Sequence, residues 1–417
     1  MSNPLKIVLV NYRYFISGGP ERYYFNIKEV LENHEHIVIP FSIKGNQNLP
    51  TTYDHYFLSK VDDEVYFSQY KKTPITVFKS FTRMFYSFEA KRKFRNLLIK
   101  EKPDIVYIMQ YHNKISPSII DAAKELNVPV VHRISDFQYI CANALFHNET
   151  VGVCEKCLTG SKWNAVRYKC VLHSRLYSFI KISAQKLYEI LKITEKIDAF
   201  IVPSAFTITK LLQYGISPEK LNLVPTFFNH HFIDNKTEIV YNSFALYVGR
   251  IEKQKGLLTL IKAFENTNHQ LKIIGFSNDG YEDYLKEYSS GMKNIEFLGR
   301  KKFEEIIPFL SSCQFSIVPS EIYDNFPNAV IESYAFQKPV IASNIGSLKE
   351  LILDSKTGLL FEAGNFRDLS AKVELLFSNP ELCTSMGKNA IKYLEESLSE
   401  DSHYLKLMTV FNKLIKK

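Results

Sequence analysis

No apolar run in this 417-residue chain approaches the roughly 20 residues that a membrane helix needs. Met1 to Pro4 run straight into Leu5 to Val10, which is too short a stretch for a secretory signal and lacks its charged lead. The expectation from both is a cytoplasmic protein. No Gly-x-Gly-x-x-Gly opens a strand–helix unit, which counts against a nicotinamide enzyme. Cysteine occurs six times and tryptophan once. With 46% hydrophobic and 23% charged residues, the composition is neither collagenous nor disordered, but that of a soluble globular chain. At this length two domains are the natural expectation.

Charge is unevenly spread. Of the formal net +8, residues 1–230 carry 30 Lys and Arg against 20 Asp and Glu, while residues 231–417 carry 22 against 24. The N-terminal half is therefore the basic one. Nucleic acid, an anionic membrane or a phosphate-bearing lipid would suit it. None of the familiar base-reading motifs is present, so nucleic acid is set aside.

Short β-branched runs alternate with helical stretches. Lys6–Val10, Ile37–Phe41, Asp104–Met109, Pro129–His132 and Ala199–Val202 read as strands of a first unit, with helices such as 21–31 and 118–126 between them. The pattern restarts at Phe244–Val248 and continues through Leu271–Ile274, Ile295–Leu298, Phe315–Val318 and Pro339–Ala342. Strands spaced by helices predict an α/β fold of two doubly wound, Rossmann-like domains, 1–230 and 231–399. Ligands of such sheets bind beyond the carboxyl ends of the strands. Two facing units would enclose a cleft.

The second unit carries the strongest signals. Tyr247-Val248-Gly249-Arg250 ends a strand, and Lys255-Gly256 follows, placing two cations five residues apart at the cleft mouth. Such cations neutralise a departing diphosphate without a metal. Further strand ends fall at Gly275, Arg300 and Ser320. Asp324-Asn325-Phe326-Pro327-Asn328 then leads to Glu332. Pro327 suits the first turn of a helix, whose N-terminus offers unpaired N–H groups to an anion.

From Phe244 to Gly364 the chain resembles glycosyltransferase family 4, retaining enzymes of the GT-B fold. The resemblance rests on the Gly-Arg…Lys-Gly pair, the acidic pair spaced by seven residues, Lys338-Pro339-Val340-Ile341-Ala342, Gly346, Glu350 and Thr357-Gly358-Leu359-Leu360. It implies that Arg250 and Lys255 hold the donor diphosphate, that Glu332 binds the donor ribose and that Asp324 contacts the donor sugar. The family usually has Glu where this chain has Asp324, so the shorter side chain bears on sugar preference. It also implies that the final helix, about 400–417, packs back on the first domain. Gly249, Gly275, Arg300, Ser320, Asn325, Phe326, Pro327 and Asn328 complete the expected donor site, and Gly18-Gly19 resembles the family's glycine-rich loop. No Asp-x-Asp motif is present, so no catalytic metal or other cofactor is expected.

In the first unit, Tyr111-His112-Asn113 and Ser135-Asp136 follow strands and face the same cleft. His112 and Asp136 are the candidate catalytic contacts to the sugars there. Many relatives carry His directly before the position of Asp136. Here that residue is Ser135, and His132, at a strand end, reads as structural.

Four cysteines are spaced Cys141-x12-Cys154-x2-Cys157-x12-Cys170. A structural zinc site, reduced, partly buried thiols and, less favoured in a reducing cytosol, a disulfide are the readings of this spacing. The stretch 65–100 sets Phe78, Phe81, Phe85 and Phe88 at helical spacing among Lys79, Arg83, Lys91, Arg92, Lys93 and Arg95. A second basic stretch holds Lys162, Arg167, Lys169, Arg175, Lys181 and Lys186. A core-facing stripe and an amphipathic surface on anionic lipid are the two readings.

The function expected from these features is transfer of a sugar from a UDP- or GDP-linked donor to a glycan or lipid-linked acceptor in surface polysaccharide synthesis. The enzyme would be cytoplasmic, and peripheral on the membrane if the basic half docks there. The alternatives are a GT-B-like sugar-nucleotide epimerase and a non-catalytic GT-B partner subunit. An epimerase needs no basic, aromatic acceptor domain, and intact Arg250, Lys255 and Glu332 speak against a degenerate subunit.

Overall fold

The computed structural model describes residues 4–61, 73–229 and 238–416. Residues 65–72 of the aromatic–basic stretch and 230–237 of the inter-domain join lie outside them. Among the described residues, strands β1 (Lys6–Val10), β2 (Ile37–Phe41), β3 (Ile105–Ile108) and β4 (Val130–Arg133) belong to the first sheet. A small hairpin of β5 (His147–Asn148) and β6 (Gly152–Val153) follows, and the first sheet then resumes with β7 (Ala199–Val202) and β8 (Leu221–Leu223). The second sheet takes β9 (Phe244–Val248), β10 (Gln270–Ile274), β11 (Ile295–Phe297), β12 (Phe315–Val318), β13 (Val340–Ser343) and β14 (Gly358–Phe361).

Both sheets are parallel throughout, ordered β2-β1-β3-β4-β7-β8 and β11-β10-β9-β12-β13-β14. This is the expected pair of Rossmann-like domains. Their strands are near-continuous apolar runs because helices cover both faces. On the first sheet Val8, Val10, Val106 and Ile108 face one fully buried core, while Ile7, Leu9, Ile105 and Tyr107 face the other. The second sheet is divided in the same way, with Leu246 and Ala342 on one side and Ala245 and Ile341 on the other.

Strand order reverses between β1 and β3 in the first sheet and between β9 and β12 in the second. A crevice opens beyond the carboxyl ends of the strands at each reversal. The loops that leave these four strands carry Gly18-Gly19, His112, Arg250 and Asp324. Topology thus brings the motifs together in two pairs, one at the crevice of each sheet.

The last helix, Glu400–Ile415, returns to the first domain. Leu407, Met408 and Phe411 join the core around Ile7 and Tyr107. His403 is buried there, its Nδ1 2.7 Å from the Pro225 carbonyl oxygen and its Nε2 2.9 Å from the Tyr23 hydroxyl.

The aromatic–basic stretch is not one helix. Thr73 caps Pro74–Phe85, and Ser87 caps a second helix, Phe88–Glu101, each accepting from a backbone N–H in the first turn. Phe88 thus starts a new helix, off the stripe on which helical spacing placed it. Phe78 and Phe81 are exposed, against the core-facing reading of that stripe.

Candidate active site

Gly249 and Gly275 extend the second sheet by one step, their N–H groups donating to the carbonyls of Ile274 and Gly299, both at 3.0 Å. Beyond Gly249, Arg250 is exposed and pairs with Glu252. The chain then makes a single turn, Lys253–Lys255, closed by Gly256 at φ +72°. A Cβ at Gly256 would stand 1.9 Å from the Pro319 carbonyl oxygen. Glycine is therefore required here on both counts, and it presses the Lys255 turn against the loop leaving β12.

The contact aligns two charges. Lys255 Nζ bonds Asp324 Oδ1, with both side chains largely withdrawn from solvent. Asp324 Oδ2 is buried with no hydrogen-bond partner among the described residues. A buried acceptor left unpaired costs about 1–3 kcal/mol, so this oxygen marks a place where a ligand hydroxyl would be stabilising. The Asp324 carbonyl accepts from the Ser347 hydroxyl at 2.6 Å, which fixes the loop.

The helix Asn328–Ala335 begins one residue later than expected, with Pro327 as its N-cap in extended geometry. Asp324 and Asn325 therefore lie in the loop before the helix. Glu332, in its second turn, is buried and faces the other domain, where it pairs with Arg22. Burial pushes the Glu332 carboxyl up, and the guanidinium opposes that rise. Arg22 also lies over the Phe303 ring, at 4.7 Å. Nothing in the composition pointed to Arg22; its only signal is its place one turn after the glycine loop.

Gly18 is the N-cap of the helix Gly19–Asn33. At Gly19 a Cβ would stand 2.7 Å from Asn328 Nδ2 of the other domain. The glycine loop and the start of the second-domain helix are thus in direct apposition. Phe326 packs on the second-domain core, and Ser320 is buried after β12. Arg300 is exposed and stacks over Phe276 at 4.5 Å.

Two motif residues hold the domains together. Asn325 Nδ2 donates to the Ile134 carbonyl at 2.8 Å, and its Oδ1 accepts from the Thr207 hydroxyl at 2.8 Å. Expected as a donor contact, the Asn325 amide has both ends engaged across the interface. The Glu350 carboxylate accepts from the backbone N–H groups of Ala205 and Phe206, at the start of the helix Ala205–Tyr214. The positive end of that helix suits the anion. Tyr323 adds a bond to Glu155 at 2.8 Å, and Lys210 pairs with the same carboxylate at 2.7 Å.

On the first-domain side, the His112 ring stacks on Tyr111 at 4.0 Å and meets Tyr139 edge-on at 4.8 Å. Its Nε2 is buried without a partner among the described residues. Burial drives its pKa well below the usual value, so the ring is neutral. Asp136 gives both oxygens to Gln138, to the backbone N–H and the side-chain amide, each at 2.9 Å, while burial raises its pKa. His132, held at 2.8 Å by the Tyr139 hydroxyl, is a core residue.

The four cysteines lie near one another. Burial raises the Cys157 thiol to about 12, and the neighbouring thiols of Cys141, Cys170 and Cys154 push the same way. Yet no group of three or more His, Cys, Asp or Glu among the described residues is spaced to hold a metal ion. Among the described residues, no helix is long and apolar enough to cross a membrane.

Comparison with known proteins places this geometry. Residues 231–393 match the family Glycosyl transferases group 1. An uncharacterized glycosyltransferase of Methanocaldococcus jannaschii, MJ1178, is 29% identical over 322 residues, covering 74% of this chain and 83% of its own. The capsular polysaccharide biosynthesis glycosyltransferase CapM of Staphylococcus aureus is 26% identical over 254 residues, 58% of this chain and 66% of that one. The structure of Anabaena Alr3699/HepE in complex with UDP and glucose superposes with a TM-score of 0.64 at 14% identity, covering 98% of this chain and 99% of that one. The chain therefore has the GT-B fold, its second domain matches Glycosyl transferases group 1, and it is similar to glycosyltransferases that include one of capsular polysaccharide biosynthesis.

Proposed function

We propose that the protein is a retaining glycosyltransferase that moves a sugar from a UDP- or GDP-linked donor to a glycan or lipid-linked acceptor. The observation that carries this reading is the Lys255–Asp324 pair with the unpartnered Asp324 Oδ2 beside it. Lys255 and the exposed Arg250 neutralise the diphosphate as the bond from its oxygen to the sugar carbon breaks. Charge develops on that oxygen in the transition state, where fixed cations contribute most. Asp324 Oδ2 accepts from a hydroxyl of the donor sugar, and Glu332 accepts from the ribose hydroxyls. The acceptor hydroxyl oxygen forms the new bond to the same carbon, approaching from the side of His112 and Asp136, and its proton passes to the departing diphosphate oxygen. A neutral His112 can hold a sugar hydroxyl through Nε2 without adding charge. The HepE structure, with UDP and glucose bound on a shared fold, supports a nucleotide-sugar donor. CapM supports an acceptor in polysaccharide synthesis.

Incubation with UDP- and GDP-sugars and a panel of glycan and lipid-linked acceptors tests the reading. Proton NMR of the product should show the anomeric configuration of the donor. An inverted product removes the retaining assignment. Epimerised donor with no transfer to any acceptor replaces the transferase reading by the epimerase.

A further inference from the structure

Away from the donor cleft, the first domain contains a cavity of about 460 Å³, within the roughly 300–1,000 Å³ range of small-molecule sites. It lies between the helices Pro74–Phe85 and Arg175–Ile190, whose apposition is tied by the Tyr188 hydroxyl donating to the Met84 carbonyl. Val77, Phe81, Met84, Leu172 and Ile180 give it mainly apolar walls.

Its two ends differ. Outside, the same helices expose apolar side chains that a folded monomer ordinarily buries: Phe78 is 67% accessible, Leu176 64% and Phe179 49%. Inside, the lining turns polar and cationic, with Lys181, Lys114 and Arg83. Lys181 is itself buried. Its Nζ donates to Asn113 Oδ1 at 2.7 Å and Gln138 Oε1 at 3.1 Å, both neutral amide oxygens. Burial lowers its pKa to about 8. An ammonium in such surroundings is stabilised by an incoming anion. The polar end is also close to the cleft, because Gln138 bonds both Lys181 and Asp136.

We propose that this cavity binds the phosphate-proximal end of a long-chain lipid phosphate, with the hydrocarbon running out between the two helices and the phosphate at Lys181. The proposal rests on the transferase reading and names its acceptor class: a lipid phosphate or diphosphate whose first groups lie at the cavity's inner end and whose reacting hydroxyl reaches Asp136. An apolar wall and a buried cation in one cavity match an amphiphile that is both hydrophobic and anionic. A free sugar would leave the apolar wall uncovered, and a neutral lipid would bring no anion to a polar end where Asp136 is the carboxylate acting on Lys181.

Calorimetric titration of the full chain, without donor, tests the idea. The probes are dodecyl phosphate below its micelle concentration, dodecyl maltoside and inorganic phosphate. Dodecyl phosphate should bind at least tenfold more tightly than dodecyl maltoside, and inorganic phosphate should give no saturable heat. Phe81→Asp, at a half-exposed side chain of the cavity wall, should weaken dodecyl phosphate at least tenfold while the thermal unfolding midpoint stays near that of the wild type. Lys181→Gln should weaken dodecyl phosphate similarly and leave dodecyl maltoside unaltered. UDP and GDP titrations should be the same for wild type and both variants, which separates this pocket from the donor site. Equal binding of the two amphiphiles, or dodecyl phosphate affinity unmoved by both substitutions, overturns the proposal. Loss of nucleotide binding in the wild type would instead bring down the transferase reading.

Discussion

Arg22 and Glu332, 310 residues apart in sequence, form an ion pair that joins the two domains. Glu332 is the residue read as the ribose acceptor, and burial alone would favour its protonated form. In the proposed function Arg22 is therefore a positioning residue: its guanidinium opposes the rise that burial imposes on the Glu332 carboxyl and holds that side chain at the cleft. Arg22→Ala should weaken nucleotide binding about tenfold, and Glu332→Gln should do the same. The double variant should be little worse than either single one, because the two act as a unit. Calorimetric titration of UDP and GDP measures all three. Fully additive losses would separate Arg22 from the ribose site.

Arg250 and Lys255 carry the diphosphate in the proposed reaction. Arg250→Ala or Lys255→Ala should cut turnover by roughly 10² or more, as for other groups that meet charge developing in a transition state. Lys255→Ala should have a second effect, since it leaves Asp324 without its partner; Asp324→Glu should shift the choice of donor sugar. Steady-state rates on a fixed acceptor give the first result, and rates across a panel of donor sugars give the second. Near-wild-type rates in both alanine variants would move the donor site elsewhere.

Stability should fall on acidification in part through His132 and His403. Burial holds both at a pKa of about 3, far below the usual histidine value of about 6.5. A depressed pKa means that the unfolded chain takes the proton first. Their contribution is thus fully present above pH 6.5 and is lost as pH falls from 6.5 towards 3. Within that window each histidine adds a slope of about 1.4 kcal/mol per pH unit. His403→Gln should destabilise at pH 7.5, where the Tyr23 and Pro225 bonds are lost. The gap from wild type should narrow at pH 5. Urea unfolding at the two pH values checks this, and a gap that widens on acidification contradicts it.

Metal content separates the readings of the cysteine cluster. The thiols are close, but no three stand at ligand spacing. The expected result is protein without stoichiometric zinc and with Cys141, Cys154, Cys157 and Cys170 all alkylated after unfolding, no chelator being needed. About one zinc per chain by elemental analysis would mean that the metal itself draws the four together.

The basic N-terminal domain should sediment with anionic vesicles, such as those containing phosphatidylglycerol, and less so as salt rises. Lys91 is paired with Glu125 and Lys93 reaches the Phe57 carbonyl, so Arg92 and Arg95, both exposed, are with Lys100 the cations that remain outward on this helix. Each is worth about 1 kcal/mol near such a surface. Replacing both by Gln should weaken sedimentation about tenfold or more and leave nucleotide affinity unchanged. Equal partitioning of the wild type onto purely phosphatidylcholine vesicles would exclude electrostatic docking.

Strands and helix starts were legible wherever periodicity and local chemistry agree. Lys6–Val10, Ala199–Val202, Phe244–Val248 and Phe315–Val318 fall where the β-branched runs place them. The short strands at Leu221–Leu223 and Gly358–Phe361 have no such run to mark them. Three or four residues carry too little pattern, and these two are strands because a neighbour offers its edge. Helical spacing alone takes no account of a break in the aromatic stripe: Ser87 caps a new helix, and Phe88 leaves the stripe.

The sequence by itself determined the two-unit architecture and the motif set of the donor domain, since strand runs, glycines and paired charges are local properties. Only the tertiary structure decided what each motif residue touches. Asn325 and Glu350 sit in the same motif run as Asp324 and Glu332, yet they hold the domain interface. Arg22 entered the site, and Lys181, one cation in a basic stretch, proved to be buried in a cavity wall. The reason is physical: the partner of a charge lies hundreds of residues away along the chain, and its distance is set by how two sheets and their helices pack, which no local pattern encodes.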